Sequence, residues 1–191
     1  MTEAQAYDTD VFVDMIEAFR ELQATLCLVA PPPGATTELT AAIADVTNRL
    51  KEFEAPEGAR PARDLGMRGI AHPVLVPYQS YDTSDKKLVG TVRFSYAHMG
   101  GGGAAHGGVI TMLFDDLLGT FVSRRAQLGS RTAYLKVDFR NVTPVHCDLR
   151  IDASIDRIEG RKTFVTGTIL NGDVVCATAE ALFIRLLPGQ P

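Results

Sequence analysis

The first third of the chain carries apolar residues at helical spacing. They recur three or four positions apart in two runs, which are Val11, Met15, Phe19, Leu22 and Leu26, and then Leu39, Ile43, Val46, Leu50 and Phe53. This period predicts two amphipathic helices. The segment 31–34, PPPG, separates them because proline lacks an amide hydrogen and clashes with the preceding turn, and Thr36 or Thr37 is placed to cap the second helix. We expect a helical hairpin.

A segment rich in proline, glycine and charge follows at 54–66, EAPEGARPARDLG. This composition is typical of a linker. We therefore divide the chain into an N-terminal helical hairpin with its linker, residues 1–66, and a main domain, residues 67–191. A length of 191 residues fits one compact domain with such an appendage.

The hydrophobic period changes in the main domain. Residues 68–80 and 86–97 are rich in β-branched and aromatic side chains, which predicts two strands, and four further strands follow a helix at about 107–125. Apolar and polar residues then alternate within 149–156, as in a strand with one solvent-facing side. Glu159-Gly160 and Asn171-Gly172-Asp173 predict hairpin turns. The strands are therefore expected to pair largely antiparallel.

The predicted helix at 107–125 is apolar on nearly every side. Its apolar residues are Val109, Ile110, Met112, Leu113, Phe114, Leu117, Leu118, Phe121 and Val122. A helix that is hydrophobic all round is buried, so we predict an α+β fold in which an antiparallel sheet wraps around this central helix. Thr111, Asp115 and Gly119 are exceptions, and their four-residue spacing places them in one stripe.

Asp115 is the candidate catalytic residue in that stripe. A buried carboxylate is costly unless it is paired or hydrogen-bonded, and this one lies in the most apolar segment of the chain. We therefore expect Asp115 to be buried, and to act either in catalysis or in a satisfied hydrogen-bonded pair. The adjacent Asp116 is interpreted as a bystander that bonds a loop or faces solvent.

His106, Gly107 and Gly108 stand at the start of the same helix. The first amides of a helix lack intrahelical acceptors and lie at the positive end of its dipole, so they suit a polarised carbonyl or an oxyanion. Glycine there lets a substrate approach the backbone closely. The glycine run at 100–103 is interpreted as a pliant loop at the substrate entrance.

The spacing of these candidate groups predicts a dimer. Asp115 lies nine residues after His106, and a helix rises about 1.5 Å per residue, so the two lie roughly 13 Å apart along the axis. One chain therefore cannot place both on one reacting carbonyl. If Asp115 and the Gly107 amide serve the same group, they come from two subunits whose helices lie antiparallel across a two-fold axis.

Composition and short motifs exclude several other classes of protein. With a net charge of -4, the chain lacks the basic excess that nucleic-acid binding favours. No apolar stretch reaches the roughly 18 residues of a membrane span, and the acidic N-terminus is unlike a signal peptide, so we expect a cytoplasmic protein. The three cysteines are widely spaced, which predicts reduced core thiols. Metal-ligand, Walker and dinucleotide spacings are missing, so no metal or cofactor is expected.

The chain also resembles a known family. The run HGGVITMLFDDLLG, followed by TAYLKVDFRNVTPV and then VVCATAEALFIRL, resembles the hotdog-fold thioesterases, specifically the PaaI-like and THEM4-like acyl-CoA thioesterase group. The resemblance covers about residues 68–187. It implies a homodimer built on a continuous sheet, often doubled into a homotetramer, that hydrolyses an acyl-CoA thioester to free acid and CoA.

The resemblance assigns roles to residues of this chain. It implies that Asp115 acts as general base or nucleophile and that the Gly107 amide polarises the thioester carbonyl. His106 would bind or orient the thioester, and Thr132, the hydroxyl residue most nearly in position, would assist the carboxylate or the water. The expected substrate-binding residues are Gly108 at the helix start, Arg140 for the CoA phosphates, and Phe114 and Leu118 for the acyl group.

Two other interpretations stay open. Some members of the family carry an asparagine six residues before the motif histidine, where this chain has Gly100. A non-catalytic hotdog protein that binds acyl-CoA is therefore the main alternative. An acyl-thioester hydratase or dehydratase is the other, although the chain lacks the His-x-x-x-Pro-Gly pattern of hotdog dehydratases.

Overall fold

The computed structural model describes residues 8–63, 68–125, 129–187 and 189–190. These residues form the α-helices α1 (Thr9–Leu26), α2 (Pro33–Lys51), α3 (Arg68–Ala71) and α4 (Gly107–Arg125). The strands are β1 (Tyr78–Ser84), β2 (Lys87–Val92), β3 (Ser130–Phe139), β4 (Leu149–Glu159), β5 (Lys162–Asn171) and β6 (Val174–Arg185). Short 3-10 turns lie at Glu57–Ala59, Pro61–Arg63, Tyr96–His98 and Gly101–Gly103.

The strands form one antiparallel sheet with the order β1-β2-β4-β5-β6-β3, which leaves β1 and β3 at its edges. Two-residue turns join β4 to β5 and β5 to β6, and their first residues, Gly160 and Gly172, have φ angles of 59° and 57°. Left-handed φ angles favour glycine, and this confirms the two predicted hairpins.

Helix α4 packs against β3, β5 and β6 and fills the centre of the fold. Its side chains Phe114, Leu118 and Phe121 are fully buried. Strand β5 has Gly167 beneath the helix, where an added Cβ would lie 2.9 Å from Cε1 of Phe114. The missing side chain therefore lets the helix lie close to the sheet. The predicted α+β fold with a central helix at 107–125 is confirmed.

The first predicted strand is partly wrong. Residues 68–71 form the short helix α3, and β1 begins only at Tyr78. The Arg20 guanidinium of α1 holds the backbone from α3 to the start of β1. It donates hydrogen bonds of 2.9–3.4 Å to the carbonyls of Gly69, Ile70, His72 and Leu75. A side chain 50 residues away thus satisfies carbonyls that a sheet would otherwise pair. The second predicted strand, at 86–97, ends at Val92.

The two predicted N-terminal helices are confirmed, but the capping prediction is wrong. Pro33 is the first residue of α2, and no side chain caps the helix. The Thr36 and Thr37 hydroxyls lie inside the first turn, where they donate to the carbonyls of Pro32 and Pro33, both at 3.1 Å. Proline is favoured as a first helical residue because its missing N–H would lack an acceptor there.

The two helices differ in their packing. Helix α1 buries Ile16 and lies against α3 and the Tyr96–His98 turn. Helix α2 has no buried residue, and its apolar stripe, from Leu39 to Leu50, is exposed. The predicted start of the main domain, Met67, lies outside the described residues, so the division into two parts stays a prediction.

The cysteine prediction is wrong at one position. Cys27, at the end of α1, is exposed, whereas Cys147 is partly buried and Cys176 is buried. Cys27 directly follows α1, whose apolar stripe is exposed to solvent. The apolar residues before it therefore did not indicate that Cys27 would be exposed. Among the helices of the described ranges, none is long and apolar enough to span a membrane.

Candidate active site

His106 caps the N-terminus of α4. Its Nδ1 accepts a hydrogen bond from the backbone N–H of Gly108 at 3.0 Å. Because Nδ1 is the acceptor, a neutral ring in this arrangement carries its proton on Nε2. The imidazole is exposed. It is therefore a cap that also presents an N–H donor at the mouth of the helix.

The adjacent glycines leave space at the helix start. A Cβ on Gly107 would lie 3.1 Å from Cζ of Phe139, and one on Gly108 would lie 3.1 Å from Nδ1 of His106. Gly107 is the first residue of α4, and within the described ranges its N–H has no hydrogen-bond acceptor. It is thus the free donor that the sequence predicted at this helix terminus.

The glycine run before His106 forms a hydrogen-bonded turn, and the expectation of a pliant loop at the substrate entrance stays a prediction. Gly102 and Gly103 adopt left-handed φ angles of 66° and 76° in the 3-10 turn. Gly100 N–H donates to the carbonyl of Ala104 at 2.7 Å, and Ala105 N–H donates to that of Thr143 at 2.8 Å. At Gly100, a Cβ would lie only 3.2 Å from Cα of His106, so an asparagine there would push on the motif.

Asp115 lies further along α4, next to the hydroxyl of Thr132. The Thr132 hydroxyl donates to Oδ1 of Asp115 at 2.9 Å. Thr132 stands on β3 at a register shift between Thr132 and Tyr134, which gives the strand a bulge at Ala133. Bulges re-aim side chains and are common beside active sites. The structure therefore brings together a carboxylate and a hydroxyl that the sequence separates by 17 positions.

Within the single chain the burial of the aspartate pair is the reverse of the expectation, and the burial of Asp115 by a partner subunit stays a prediction. Asp115 is exposed in the single chain, whereas Asp116 is 5% exposed. The Tyr78 hydroxyl donates to Oδ2 of Asp116 at 3.3 Å. Burial, and then the charge of Asp116, raise the pKa of Tyr78, so the phenol stays a donor. The four-residue spacing of Asp116, Thr120 and Arg124 was the available sequence signal for this second polar stripe.

The predicted substrate contacts differ in accessibility. Arg140 follows the edge strand β3 and is exposed, with its guanidinium 3.2 Å from Oδ2 of Asp138. Phe114 and Leu118 are both 0% exposed, because they pack beneath β5 against Gly167. These two side chains offer no surface to a ligand in this conformation, and the geometry argues against their predicted contact with an acyl group.

One chain thus carries two separated halves of a site. His106 and the glycines lie at the start of α4. Asp115 lies nine residues after His106 and is bonded to Thr132 of β3. That spacing corresponds to roughly 13 Å along the helix axis. A carbonyl held at the Gly107 N–H is therefore out of reach of the Asp115 carboxylate of the same chain.

The segment that carries the candidate site is similar to a known family. The sequence model of the Thioesterase superfamily matches residues 102–178, which contain His106, Asp115 and Thr132. The solved structure of the thioesterase superfamily protein RHA08564 has a TM-score of 0.78 and 24% identity, and the match covers 93% of this chain and 92% of that one. Residues 102–178 are thus similar to the Thioesterase superfamily, and the chain shares the fold of a solved thioesterase superfamily protein.

The chain is also similar to proteins that carry names. Acyl-coenzyme A thioesterase THEM4 of Xenopus laevis is 29% identical over 83% of this chain and 67% of its own length. The Rattus norvegicus protein of the same name is 30% identical over 58% of this chain, which spans about half, 48%, of that relative. The putative esterase PA0474 of Pseudomonas aeruginosa is 28% identical over 69% of this chain and 97% of its length.

A more distant solved structure of similar fold carries a ligand. The protein smu.793 of Streptococcus mutans, solved with acetyl CoA bound, has a TM-score of 0.53 and 19% identity over 57% of this chain and 88% of its own. At this identity the likeness concerns the fold alone.

Proposed function

We propose that this protein is an acyl-CoA thioesterase, which hydrolyses an acyl thioester to a free acid and CoA. The observation that carries the proposal is the hydrogen bond of 2.9 Å between Thr132 and Asp115, which holds an exposed carboxylate on the central helix of a thioesterase fold. Relatives named acyl-coenzyme A thioesterase support the substrate class.

The chemistry follows from the two halves of the site. The Gly107 N–H, at the positive end of the α4 dipole, polarises the thioester carbonyl and binds the oxyanion as it forms. Asp115 takes a proton from the attacking water as general base, or attacks the carbonyl itself to give an anhydride that water then hydrolyses. In both routes the C–S bond breaks and CoA leaves as a thiolate. The exposed Nε2–H of His106 orients the thioester.

A two-fold homodimer completes the site in this proposal. Strand β3 is an edge of the sheet, with one row of backbone groups unpaired by other described strands and with exposed aromatic side chains at Tyr134 and Phe139. Such an edge favours pairing with another strand. Pairing β3 with its symmetry copy would extend the sheet and place Asp115 beside Gly107 of the partner subunit. Further pairing of dimers gives the proposed tetramer.

The exposed guanidinium of Arg140 supports a CoA-binding role at the same edge. It follows β3 directly, and its contact with the partly exposed Asp138 is open to solvent, so a phosphate can replace the carboxylate at little cost. A cytoplasmic location and the absence of a cofactor stay predictions from the sequence.

A non-catalytic acyl-CoA-binding protein is the second candidate function. Gly100 supports it, because the asparagine that some family members carry at this position helps to place the water or substrate. The contact of Gly100 with the His106 backbone leaves no room for such a side chain without a shift.

Release of free thiol from acyl-CoA substrates of several chain lengths tests the proposal. The wild type is compared with Asp115→Asn and Asp115→Ala, and with Asp156→Asn as a matched control. Asp156 also accepts a hydrogen bond from a threonine of the neighbouring strand, Thr166, at 3.1 Å, but on β4 away from α4. We expect turnover by the wild type and the control, and its loss in both Asp115 variants with folding and oligomeric state unchanged.

Three results would count against the proposal. Undiminished turnover in the Asp115 variants would remove the assigned catalytic residue. Tight binding of acyl-CoA by the wild type without turnover at any chain length would favour the non-catalytic function. Consumption of an enoyl-CoA without thiol release would indicate hydration.

A further inference from the structure

The turn Tyr96–His98 lies directly beneath the candidate catalytic motif. The backbone N–H of His106 donates to the carbonyl of His98 at 2.8 Å. Because His106 precedes Gly107 immediately, this bond fixes the backbone from which the free N–H of α4 projects. This bond and that from Gly100 N–H to the Ala104 carbonyl form an antiparallel bridge between Met99 and Ala105, which passes movement of the turn to the Gly107 N–H.

The His98 ring closes the turn from inside. Its Nδ1 accepts the backbone N–H of Ser95 at 2.9 Å and lies 3.3 Å from the Ser95 hydroxyl oxygen. The Phe94 ring meets the imidazole edge-to-face, with centroids 6.0 Å apart. The ring therefore acts as a hydrogen-bond acceptor in a packed setting, and this role requires an unprotonated Nδ1.

Helix α1 covers this turn and sets the charge around it. Arg20 is the charged group of α1 that faces His98, and it is ion-paired with Glu17 and 11% exposed in its side chain. Burial, followed by the charge of Arg20, lowers the pKa of His98. Phe94 and Ser95, which precede the turn and contact the His98 ring, are uncharged. On the adjoining segments, the His146 ring stacks on Tyr96 of the turn with centroids 3.7 Å apart, and His106 is joined to the turn through its backbone N–H.

We propose that His98 is a positioning residue of the active site: its unprotonated ring locks the Tyr96–His98 turn, so that the His98 carbonyl holds the backbone of His106 and the Gly107 N–H in place. The inference rests on the proposed thioesterase function. The His98 side chain acts through the turn and does not itself contact the thioester.

Protonation of His98 has a defined consequence in this arrangement. With a proton on Nδ1 the ring can no longer accept the Ser95 N–H, and the cation faces Arg20 across the α1 contact. The turn then loses its internal bond, and the His98 carbonyl loses its fixed position. Activity should fall on the acid side as His98 takes up a proton, while binding of CoA far from the turn changes little.

Two substitutions separate the acceptor from the bulk of the ring. His98→Asn keeps an acceptor near the position of Nδ1 and does not titrate, whereas His98→Phe keeps a ring and removes the acceptor. His146→Asn is the matched control, because this exposed histidine contacts the same turn, and its left-handed φ of 60° suits asparagine. The variants are compared by kcat and KM for thiol release across pH, and by hydrogen exchange of the His106 amide in NMR.

We expect His98→Phe to lower kcat by about 10- to 100-fold with a smaller change in KM, since small misplacement of a catalytic donor has effects of this size. The His106 amide should exchange faster in this variant. His98→Asn should recover most of kcat, keep the amide protected, and retain more activity than the wild type on the acid side. His146→Asn should match the wild type.

The outcomes distinguish this inference from the proposed function. Wild-type kcat and amide protection in His98→Phe would overturn the positioning role, as would a His98→Asn variant as impaired as His98→Phe. If His98→Phe fails to fold, His98→Asn decides by its acid-side activity and its amide exchange. If the wild type releases no thiol, the thioesterase proposal fails, and the amide exchange of the variants still decides whether His98 holds the motif.

Discussion

The Thr132–Asp115 hydrogen bond allows a quantitative prediction for Thr132→Val. Valine keeps the β-branched shape of threonine on the bulged strand β3 and removes only the hydroxyl that donates to Asp115 at 2.9 Å. The carboxylate then loses the donor that fixes its rotamer, and a free rotamer spends less time in the reactive orientation. We therefore expect kcat to fall while KM is nearly unchanged.

The size of the loss follows from the setting of the bond. A hydrogen bond to a charged group contributes about 1.5–3 kcal/mol, but both partners here are exposed in the single chain and water competes for them. We discount the contribution to about 1–1.5 kcal/mol, which corresponds to a decrease in kcat of about 5- to 12-fold. Burial of the pair in a dimer would move the effect toward the upper end.

The assay is steady-state thiol release, with circular dichroism melting to check folding. Thr132→Ser restores the hydroxyl and should recover most of the activity. Thr166→Val removes the comparable bond to Asp156, which is 3.1 Å long and lies away from α4, and should leave kcat unchanged. Equal kcat values for Thr132→Val and the wild type, with both folded, would refute the assignment of Thr132 as the group that orients Asp115.

Three further predictions concern packing and burial. Gly167→Ala should destabilise the fold by about 1–3 kcal/mol in urea unfolding, because its Cβ would lie 2.9 Å from Phe114. Gly101→Ala is the control, since an added Cβ there has nothing within 4 Å and should not destabilise the fold. Equal stabilities of the two variants would contradict the close packing. Tyr78→Phe should cost about 1–2 kcal/mol of stability with kcat retained, and a large loss of kcat would place Asp116 in the chemistry. Ellman's reagent should label Cys27 in the native protein and Cys176 only after unfolding, and the reverse order would contradict the observed burial.

The central helix was predictable because its signal is local and strong. A helix that is apolar on all sides has one physical interpretation, and its predicted span of 107–125 agrees with α4. The strands after it were predictable for a similar reason, since alternation and glycine-containing turns define β4 to β6 without knowledge of the tertiary structure.

The errors lie where a distant group decides the outcome. The strand expected from residue 68 was replaced by α3 because Arg20 of α1 binds the carbonyls of that segment. Asp116 is buried instead of facing solvent because Tyr78, 38 positions away, covers its side of α4. Neither contact leaves a mark on the local pattern of hydrophobic and polar residues.

The roles in the candidate site were only partly within reach of the sequence. Spacing alone indicated that Asp115 and Gly107 cannot meet on one chain, whereas Thr132 was suggested by the resemblance to the hotdog-fold thioesterases. The bond between the His106 N–H and the His98 carbonyl joins two backbone segments, so no residue type in the sequence indicates it.

Activity of mixed dimers tests most directly the claim that each site joins Gly107 of one subunit to Asp115 of the other. Gly107→Pro removes the free N–H at a helix position that tolerates proline, and Gly107→Ala keeps the N–H as a control for added bulk. Gly107→Pro and Asp115→Asn chains carrying different tags are co-expressed, and the doubly tagged dimer is purified and assayed for thiol release.

Each variant alone should be inactive, and the mixed dimer should recover about half of the wild-type activity, because one of its two sites then receives an intact Gly107 and an intact Asp115. If both groups of a site came from the same chain, neither site of the mixed dimer would be intact. A mixed dimer as inactive as its parents would contradict the account.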